Sequence, residues 1–197
     1  MEMDADLKFR KPLSGEKLTE IAHWIWQDHS DFYSLFCNQE AKAVSCIEAL
    51  LKDANSDLAP PLLAVAEGQP IGVMCYFPLA ELASRSLASL RLLMNKADDI
   101  SMAIQKGRAF SGRVPPILGG GLYLARIAIA DHAQNKGVGF ALLQELEERA
   151  LSAGFQRVCM HVRKNNKKAI RFYSKHAYNL CSSSDMLYVT FEKHLGN

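Results

Sequence analysis

The pattern of apolar and polar positions is clearest between residues 122 and 178. Residues 122–130 form an apolar run behind three glycines, which favours a strand buried on both faces. Apolar residues then recur at three- and four-residue steps as far as Gly154, which predicts an amphipathic helix. Residues 157–163 alternate as a strand does, and a second helical pattern follows Asn166. This order of elements predicts an α/β unit.

The turn between the first of these strands and its helix reads Gln-Asn-Lys-Gly-Val-Gly and occupies residues 134–139. A turn that opens a helix leaves the first backbone N–H groups unpaired at the positive end of the helix dipole. Such a position binds phosphate. Gly137 and Gly139 let the backbone approach a bulky anion because neither has a Cβ atom. The string is common by chance, so the interpretation depends on the elements around it.

Taken together, these residues resemble the GNAT superfamily of acyl-CoA-dependent N-acyltransferases. The turn is similar to that family's pyrophosphate motif. The segment from Asn166 to Tyr178 is similar to its second motif, Asn-x-x-Ala-x-x-Phe-Tyr-x-Lys-x-Gly-Phe. Ala177 stands where the family usually has Gly, and Tyr178 stands where it usually has Phe. The resemblance is close over residues 122–178 and rests on strand order elsewhere.

The resemblance implies an α/β (α+β) fold with a GNAT-like, mixed, mostly antiparallel central sheet of six to seven strands. Helices flank this sheet, which is splayed between its fourth and fifth strands. The family normally has a much shorter connection between its third and fourth strands, so a helical insertion is expected there in this chain. A single GNAT-like N-acetyltransferase domain is expected over residues 1–197, with the insertion at residues 79–118.

The N-terminal half fits the same strand order. An edge strand is expected within residues 7–13, and Ser14 and Asn38 are candidate N-caps of the two helices that follow. Residues 62–66 and 71–77 predict a hairpin with a short turn.

The insertion is predicted to be helical, with residues 106–108 and 113–116 in a loop. Its apolar stripe consists of Ala83, Leu87, Leu90 and Met94. A long insertion beside an active site serves as a lid or specificity element, as a dimer contact or as simple cladding. The sequence leaves these three roles open.

An aromatic cluster with acidic residues and a histidine lies between the first two predicted helices. Its members are Trp24, Trp26, Phe32, Tyr33 and Phe36, with Asp28, His29 and Asp31 beside them. Aromatic side chains commonly anchor cores, and in the resembling family this region borders the acceptor. The cluster is therefore either core packing or one wall of the acceptor pocket.

Composition narrows the class of partner. The chain has 23 Lys and Arg against 21 Asp and Glu, a net charge of +2, so it has no general attraction for nucleic acid or for an anionic membrane. Its five cysteines show no Cys-x-x-Cys spacing and indicate reduced thiols without a metal site. No secretory signal or transmembrane-length apolar run is visible, which favours a cytoplasmic protein.

The resemblance also implies acetyl-CoA as the cofactor. The backbone of the fourth strand would pair with the pantetheine arm, and the turn amides would hold the diphosphate. The cofactor-binding residues expected on this basis are Ile127, Ala128, Ile129, Gln134, Asn135, Lys136, Gly137, Val138, Gly139, Phe140, Asn166, Ala169, Phe172 and Tyr173.

The implied reaction is direct attack of a primary amine, on a small molecule or a peptide, within a ternary complex. The resemblance places Tyr173 where the family's tyrosines face the thioester sulfur, so Tyr173 is the expected general acid. A phenol with a pKa near 10 stays protonated at neutral pH and can donate; otherwise Tyr173 is an aromatic packed under the cofactor. Asn166 contacts the cofactor, caps the helix, or does both. The general base stays open among a water relay and His161, Glu67, Asp131 and His132.

Two other interpretations of the sequence are a non-catalytic domain of the same fold and a different nucleotide-binding fold. A GNAT-like domain can act as a non-catalytic acyl-CoA binder or a regulatory interaction module, and a homodimer is left open. A different nucleotide-binding fold is disfavoured, because the turn lacks the Gly-Lys-Ser/Thr of a P-loop and the early Gly-x-Gly-x-x-Gly of a dinucleotide fold.

Overall fold

A computed structural model describes residues 7–111, 113–181 and 186–196. Their centre is a seven-stranded sheet in the order β1-β2-β3-β4-β5-β7-β6. All neighbouring strands are antiparallel except β4 and β5. The strands are β1 (Lys8–Arg10), β2 (Pro61–Ala66), β3 (Gln69–Pro78), β4 (Leu122–Ile129), β5 (Arg157–Arg163), β6 (Asn179–Leu180) and β7 (Tyr188–His194). The predicted fold class is confirmed.

Six α-helices flank the described sheet. They are α1 (Thr19–Tyr33), α2 (Glu40–Lys52), α3 (Leu82–Lys96), α4 (Ile100–Ser111), α5 (Val138–Ser152) and α6 (Lys167–Lys175). Helix α5 packs on one face of the sheet, where a Cβ atom at Gly72 would meet Val138 and Leu142. Helix α1 lies on the other face, where Asp31 forms an ion pair with Arg163 of β5. Within the described ranges, no helix combines the length and apolarity needed to cross a bilayer.

The two parallel strands, β4 and β5, separate soon after they start. They pair only at Leu122 with Val158 and at Tyr123 with Cys159. Beyond these pairs the strands diverge, so the β5-facing backbone groups of the rest of β4 have no partner strand. This is the splay predicted between the fourth and fifth strands.

A β-bulge changes which side of the sheet each residue of β4 faces. Cys75 of β3 pairs with Arg126, and Tyr76 pairs with Leu124, so Ala125 is left as an extra residue in β4. Directly paired side chains share a face of a sheet. The bulge therefore interrupts the simple alternation along β4.

Because of the bulge, the two faces of β4 differ in chemistry. On the α5 side lie Leu122, Leu124, Ile127 and Ile129, which pair with residues 78, 76, 74 and 72 of β3. On the α1 side lie Tyr123, Arg126 and Ala128, which pair with residues 77, 75 and 73. The apolar run thus covers one face only, and the bulge places an arginine on the other.

The insertion between β3 and β4 is helical, as predicted, but its buried face differs from the predicted stripe. Leu87 and Leu90 are exposed, while Ser89 and Leu93 are buried. The reason is Arg85, whose Nη1 donates to the carbonyl oxygens of residues 54, 56 and 59 at 3.0, 2.9 and 2.8 Å. Because of these bonds, the face of α3 that carries Arg85, rather than its most apolar face, packs against the rest of the protein.

Three smaller sequence predictions are wrong. Residues 106–108 lie within α4 rather than in a loop. Ser14 is no N-cap, because α1 begins at Thr19 and Glu16 instead binds Arg10. Helix α2 begins at Glu40, and the backbone N–H of Asn38 donates to Asp98. Tertiary contacts decide all three positions.

Two glycines before β4 allow a test of the close packing at the end where β4 and β5 still pair. Gly121 has φ of +152°, and a Cβ atom there would lie 2.9 Å from the carbonyl oxygen of Arg157. Gly121→Ala should destabilise the fold by about 2 kcal/mol, which lowers Tm by roughly 4–8 °C in calorimetry. Gly120→Ala is the control, because a Cβ atom there meets nothing within 4 Å. Equal Tm values for the two variants would contradict this account.

Candidate active site

The gap between β4 and β5 opens into a cavity of about 1220 Å³. Residues from both faces of the sheet and from α1, α3, α4 and α6 line it. Its volume exceeds the range of about 300–1,000 Å³ that is usual for one small ligand. The cavity therefore has room for two reactants side by side.

One end of the cavity is a backbone cradle at the start of α5. No backbone carbonyl of the described residues accepts a hydrogen bond from the amides of residues 135–140, and the first helical bond runs from Ala141 to Gly137. Asn135 and Gly137 have φ of +61° and +88°. Free amides in a turn with left-handed residues, at a helix N-terminus, make a concave anion site.

The second glycine of the turn sets how close α5 and α6 approach. A Cβ atom at Gly139 would lie 3.3 Å from Cζ of Phe172, so the aromatic ring occupies the space that a side chain would need. The Phe140 ring stacks on His176 with centroids 4.5 Å apart. These contacts leave the cradle amides uncovered while its walls stay packed.

Helix α6 begins beside the cradle. The Asn166 side chain accepts a hydrogen bond from the amide of Ala169 at 3.0 Å, so Asn166 is the N-cap of α6. It also lines the cavity. The two roles considered for Asn166 are therefore compatible.

Three cations that the sequence analysis missed stand beside the cradle. Lys168, Arg171 and Lys175 of α6 all line the cavity, and Lys168 Nζ donates to Gln134 Oε1 at 2.7 Å. Their spacing of three and four residues places them on one helix face. That spacing was the signal that could have found them, and their charge complements a polyphosphate.

Most of the residues predicted to bind the cofactor come together around this cavity. Those that line it are Ile127, Ala128, Ile129, Gln134, Asn135, Gly137, Gly139, Phe140, Asn166, Ala169, Phe172 and Tyr173. Two do not: Lys136 points into solvent and Val138 is buried in the core. A turn that binds its ligand through backbone amides directs some of its side chains away from that ligand. The geometry of the cradle therefore explains why the side chains of Lys136 and Val138 do not line the cavity.

Tyr173 is held on the α5 side of the cavity by aromatic packing. Its ring contacts those of Phe172, Tyr178 and Phe191, with centroids 5.3, 5.8 and 6.0 Å away. The residue is buried yet lines the cavity, and no hydrogen bond joins its hydroxyl to the described residues. Burial, reinforced by the nearby charge of Asp28, raises the pKa of Tyr173. The phenol is thus protonated and available as a donor.

The other face of the cavity contains part of the aromatic cluster. Phe32, Tyr33 and Phe36 line it, together with Asp28 and His29. Tyr33 and Phe36 are also buried in the core. The cluster therefore serves both as core and as cavity wall, whereas Trp24 and Trp26 do not reach the cavity.

Helix α1 is kinked where it meets the cavity. His29 has φ of −135° and ψ of 24° inside the helix, and its buried Nδ1 has no hydrogen-bond partner. Burial, followed by the charge of Arg126, lowers the pKa of His29 to about 3. The imidazole is neutral at physiological pH.

Asp28, the neighbour of His29, is exposed to the cavity. The protein around it nevertheless raises its pKa by desolvation, while the charge of Lys168 opposes that shift. Among the described residues, the Asp28 carboxylate has no hydrogen-bond or ion-pair partner. It is the carboxylate in the cavity best placed to accept a proton, and the sequence analysis did not single it out as a base.

His161 lines the cavity, but both of its ring nitrogens are engaged. Nε2 donates to the carbonyl oxygen of Pro115 at 2.7 Å, and Nδ1 accepts from the Tyr123 hydroxyl at 3.0 Å. The tautomer follows because a carbonyl can only accept. Burial lowers the pKa of His161. This histidine ties the end of the insertion to the sheet.

The remaining base candidates lie away from the cavity lining. Glu67 is in the β2–β3 turn with φ of +51°. Asp131 accepts a hydrogen bond from Gln134 Nε2 at 3.0 Å, and His132 is exposed. None of the three lines the cavity.

A model of the Acetyltransferase (GNAT) family matches residues 18–178. The chain therefore belongs to the GNAT acetyltransferase family, whose acyl donor is acetyl-CoA. The matched range contains the sheet from β2 to β5, the cradle and α6. The resemblance found in the sequence is confirmed.

Comparison with individual proteins agrees with this assignment. A segment of 56 residues is 39% identical to the uncharacterised protein YdhI of Bacillus subtilis (strain 168), and it spans 28% of this chain and 35% of that protein. An N-acetyltransferase from Staphylococcus aureus Mu50 superposes with a TM-score of 0.69 at 16% identity, covering 94% of this chain and 100% of that chain. The PaiA N-acetyltransferase from Thermoplasma acidophilum, solved with coenzyme A, gives 0.58 at 17% identity over 96% and 99%. At these identities the structures show a shared fold.

The buried His29 predicts a loss of stability in acid. Its folded pKa of about 3 lies below the ordinary value of 6.5, so protonation favours the unfolded chain. The stabilising contribution is complete above pH 6.5 and is lost as the pH falls towards 3. Between pH 7 and pH 5, His29 should remove up to about 2 kcal/mol from the free energy of unfolding.

His29→Gln should lose that part of the acid sensitivity, because glutamine does not titrate. Urea denaturation of both proteins at pH 7 and pH 5 measures the difference. The same pH-dependent loss in the variant and in the wild type would show that His29 is not its source.

Proposed function

We infer that this protein transfers an acetyl group from acetyl-CoA to a primary amine. The observation that carries this inference is the cradle of unpaired amides and α6 cations at one end of a cavity that also holds Tyr173. Bound acetyl-CoA would supply the acetyl group activated as a thioester. The family membership supports the same reaction.

The chain's own groups fit the shape and charge of this donor. The amides of residues 135–140 face outward for the diphosphate, and Lys168, Arg171 and Lys175 balance its charge. The unpaired backbone edge of β4 beyond Tyr123 can accept an extended arm as an added strand. The cleft then leads to Tyr173.

Two side chains account for the protons. The amine nitrogen forms a bond to the carbonyl carbon, the carbon–sulfur bond breaks, and Tyr173 donates its proton to the departing sulfur. Asp28 accepts the proton that the attacking amine releases, since its raised pKa makes it a stronger base than an ordinary aspartate. Solvent returns Tyr173 and Asp28 to their starting states.

Two glycines at opposite ends of α5 test the cradle. Gly137 precedes the helix with φ of +88°, and Gly154 follows it with φ of +81°. Alanine at either position should cost about 1–2 kcal/mol of stability, because both are left-handed. Only Gly137→Ala should also weaken CoA binding, by about 10-fold or more, since it disturbs charge-assisted bonds to the diphosphate.

Isothermal titration calorimetry with CoA measures this difference, with Gly154→Ala as the matched control. Failure of the wild-type protein to bind CoA would refute the proposed function. Equal affinities for the two variants would place the diphosphate elsewhere.

A second test separates catalysis from binding. Tyr173→Phe should reduce kcat for acetyl transfer by about 100-fold or more, while the affinity for CoA stays close to that of the wild type. Thiol release with acetyl-CoA and a panel of primary amines gives the rate. Tyr178→Phe is the control, because that hydroxyl donates to Glu147 outside the cavity.

The alternative function is a non-catalytic acyl-CoA binder. It would bind CoA and show no acetyl transfer to any amine, so that Tyr173→Phe would have no rate to change. Undiminished turnover in Tyr173→Phe would instead show that the protein is an acetyltransferase in which Tyr173 is not the general acid.

A further inference from the structure

The α1 side of the cavity contains an arginine that forms no ion pair with a carboxylate of the described residues. Arg126 of β4 is partly buried and lines the cavity. Its Nη1 donates to the carbonyl oxygen of Ala125 at 2.6 Å, and its buried Nε has no hydrogen-bond partner. Among the described residues, no carboxylate forms an ion pair with it. A guanidinium withdrawn from water without a carboxylate partner is a costly arrangement.

Two acidic residues near this face, Asp31 and Asp57, have hydrogen-bond or ion-pair partners other than Arg126. Arg163, the other arginine on this face of the splay, forms an ion pair with Asp31. Asp57 accepts a hydrogen bond from the hydroxyl of Ser89 at 2.6 Å. Arg163 is therefore paired with a carboxylate, whereas Arg126 is paired with none among the described residues, although Asp57 and the Tyr33 hydroxyl interact with it electrostatically.

Part of the lining of the same cavity is apolar and incompletely covered. Leu90 of α3 and Ile104 of α4 line the cavity and remain 41% and 43% exposed. Phe32 and Phe36 belong to the same lining. An apolar group bound here would bury these side chains at about 25 cal/mol per Å² of apolar surface.

We propose that the amine acceptor is a small amino acid-like molecule with a carboxylate close to its amine and a bulky apolar side chain. Its carboxylate binds the guanidinium of Arg126 in a bidentate pair. Its side chain fills the space between the aromatic end of α1 and the inner surfaces of α3 and α4. The inserted helices thus select the acceptor.

The position of Arg126 in β4 sets the distance from carboxylate to amine. Residues 127–129 are the backbone expected to pair with the pantetheine arm, so Arg126 stands next to the reacting end. If the acceptor's carboxylate binds there, its attacking amine must be separated from that carboxylate by only a few covalent bonds. Asp28, across the cavity, attracts the ammonium of the same zwitterion. This assignment rests on the proposed acetyl transfer.

Matched acceptors test the proposal. Phenylalanine is compared with phenethylamine, and leucine with 3-methylbutylamine, so that each pair differs only by the carboxylate. The wild-type protein should prefer the carboxylate-bearing member by about 10- to 100-fold in kcat/KM. Phenylalanine amide, which keeps the shape and loses the charge, should behave like phenethylamine.

Variants at the arginine complete the experiment. Arg126→Gln should reduce the preference to about 1-fold, and Arg126→Lys should give an intermediate ratio, because lysine keeps the charge but not the bidentate geometry. Arg163→Gln is the control and should keep the wild-type ratio, since Asp31 already balances Arg163. CoA affinity measured by calorimetry should not change in Arg126→Gln, which shows that the variant is folded.

A binding measurement separates this proposal from the acetyl transfer on which it rests. Phenylalanine and phenethylamine are titrated into the wild type and Arg126→Gln, with and without saturating CoA. A carboxylate preference in the wild type that disappears in Arg126→Gln supports the site even if no turnover is seen. Equal binding or turnover of both pair members, or a preference that survives in Arg126→Gln, overturns the proposal. Failure to bind CoA overturns the acetyl transfer alone.

Discussion

The site depends on the limited pairing between β4 and β5. Two residue pairs, Leu122 with Val158 and Tyr123 with Cys159, hold the parallel strands together at one end. The strands then part, and a row of backbone groups on β4 is left without a partner inside the protein. An unpaired strand edge is unfavourable unless something covers it. In the proposed function, the extended, amide-containing arm of the cofactor would supply that cover.

The bulge at Ala125 adds a second consequence to the same splay. It puts Arg126 on the face that already holds Tyr123, because the extra residue resets the alternation of β4. The α5 face of the strand stays apolar, and the α1 face gains a charge beside the opening. The two sides of this strand thus differ in chemistry, and both adjoin its exposed edge.

Charge is distributed along the cavity in the same way. Lys168, Arg171 and Lys175 of α6 line the cavity, and Lys168 donates a hydrogen bond to Gln134 beside the amide cradle. Asp28 lies on the wall formed by α1, and it acts electrostatically on both Lys168 and Tyr173. His29 and His161 are kept neutral by burial. The cavity lining therefore combines cations, acidic side chains and neutral imidazoles.

Local sequence determined the order of strands and helices, the glycine turn with Gly137 and Gly139, and the Asn166 cap, because each depends on neighbours a few residues away. Only the tertiary structure decided which face Arg126 occupies, that Arg85 rather than the leucine stripe anchors α3, and that the side chain of Lys136 points away from the cavity. The bulge is defined by the register of β3 against β4, and Arg85 is held by carbonyls of a loop that precedes β2. These are contacts between segments far apart in the chain, and periodicity within one segment carries no information about them.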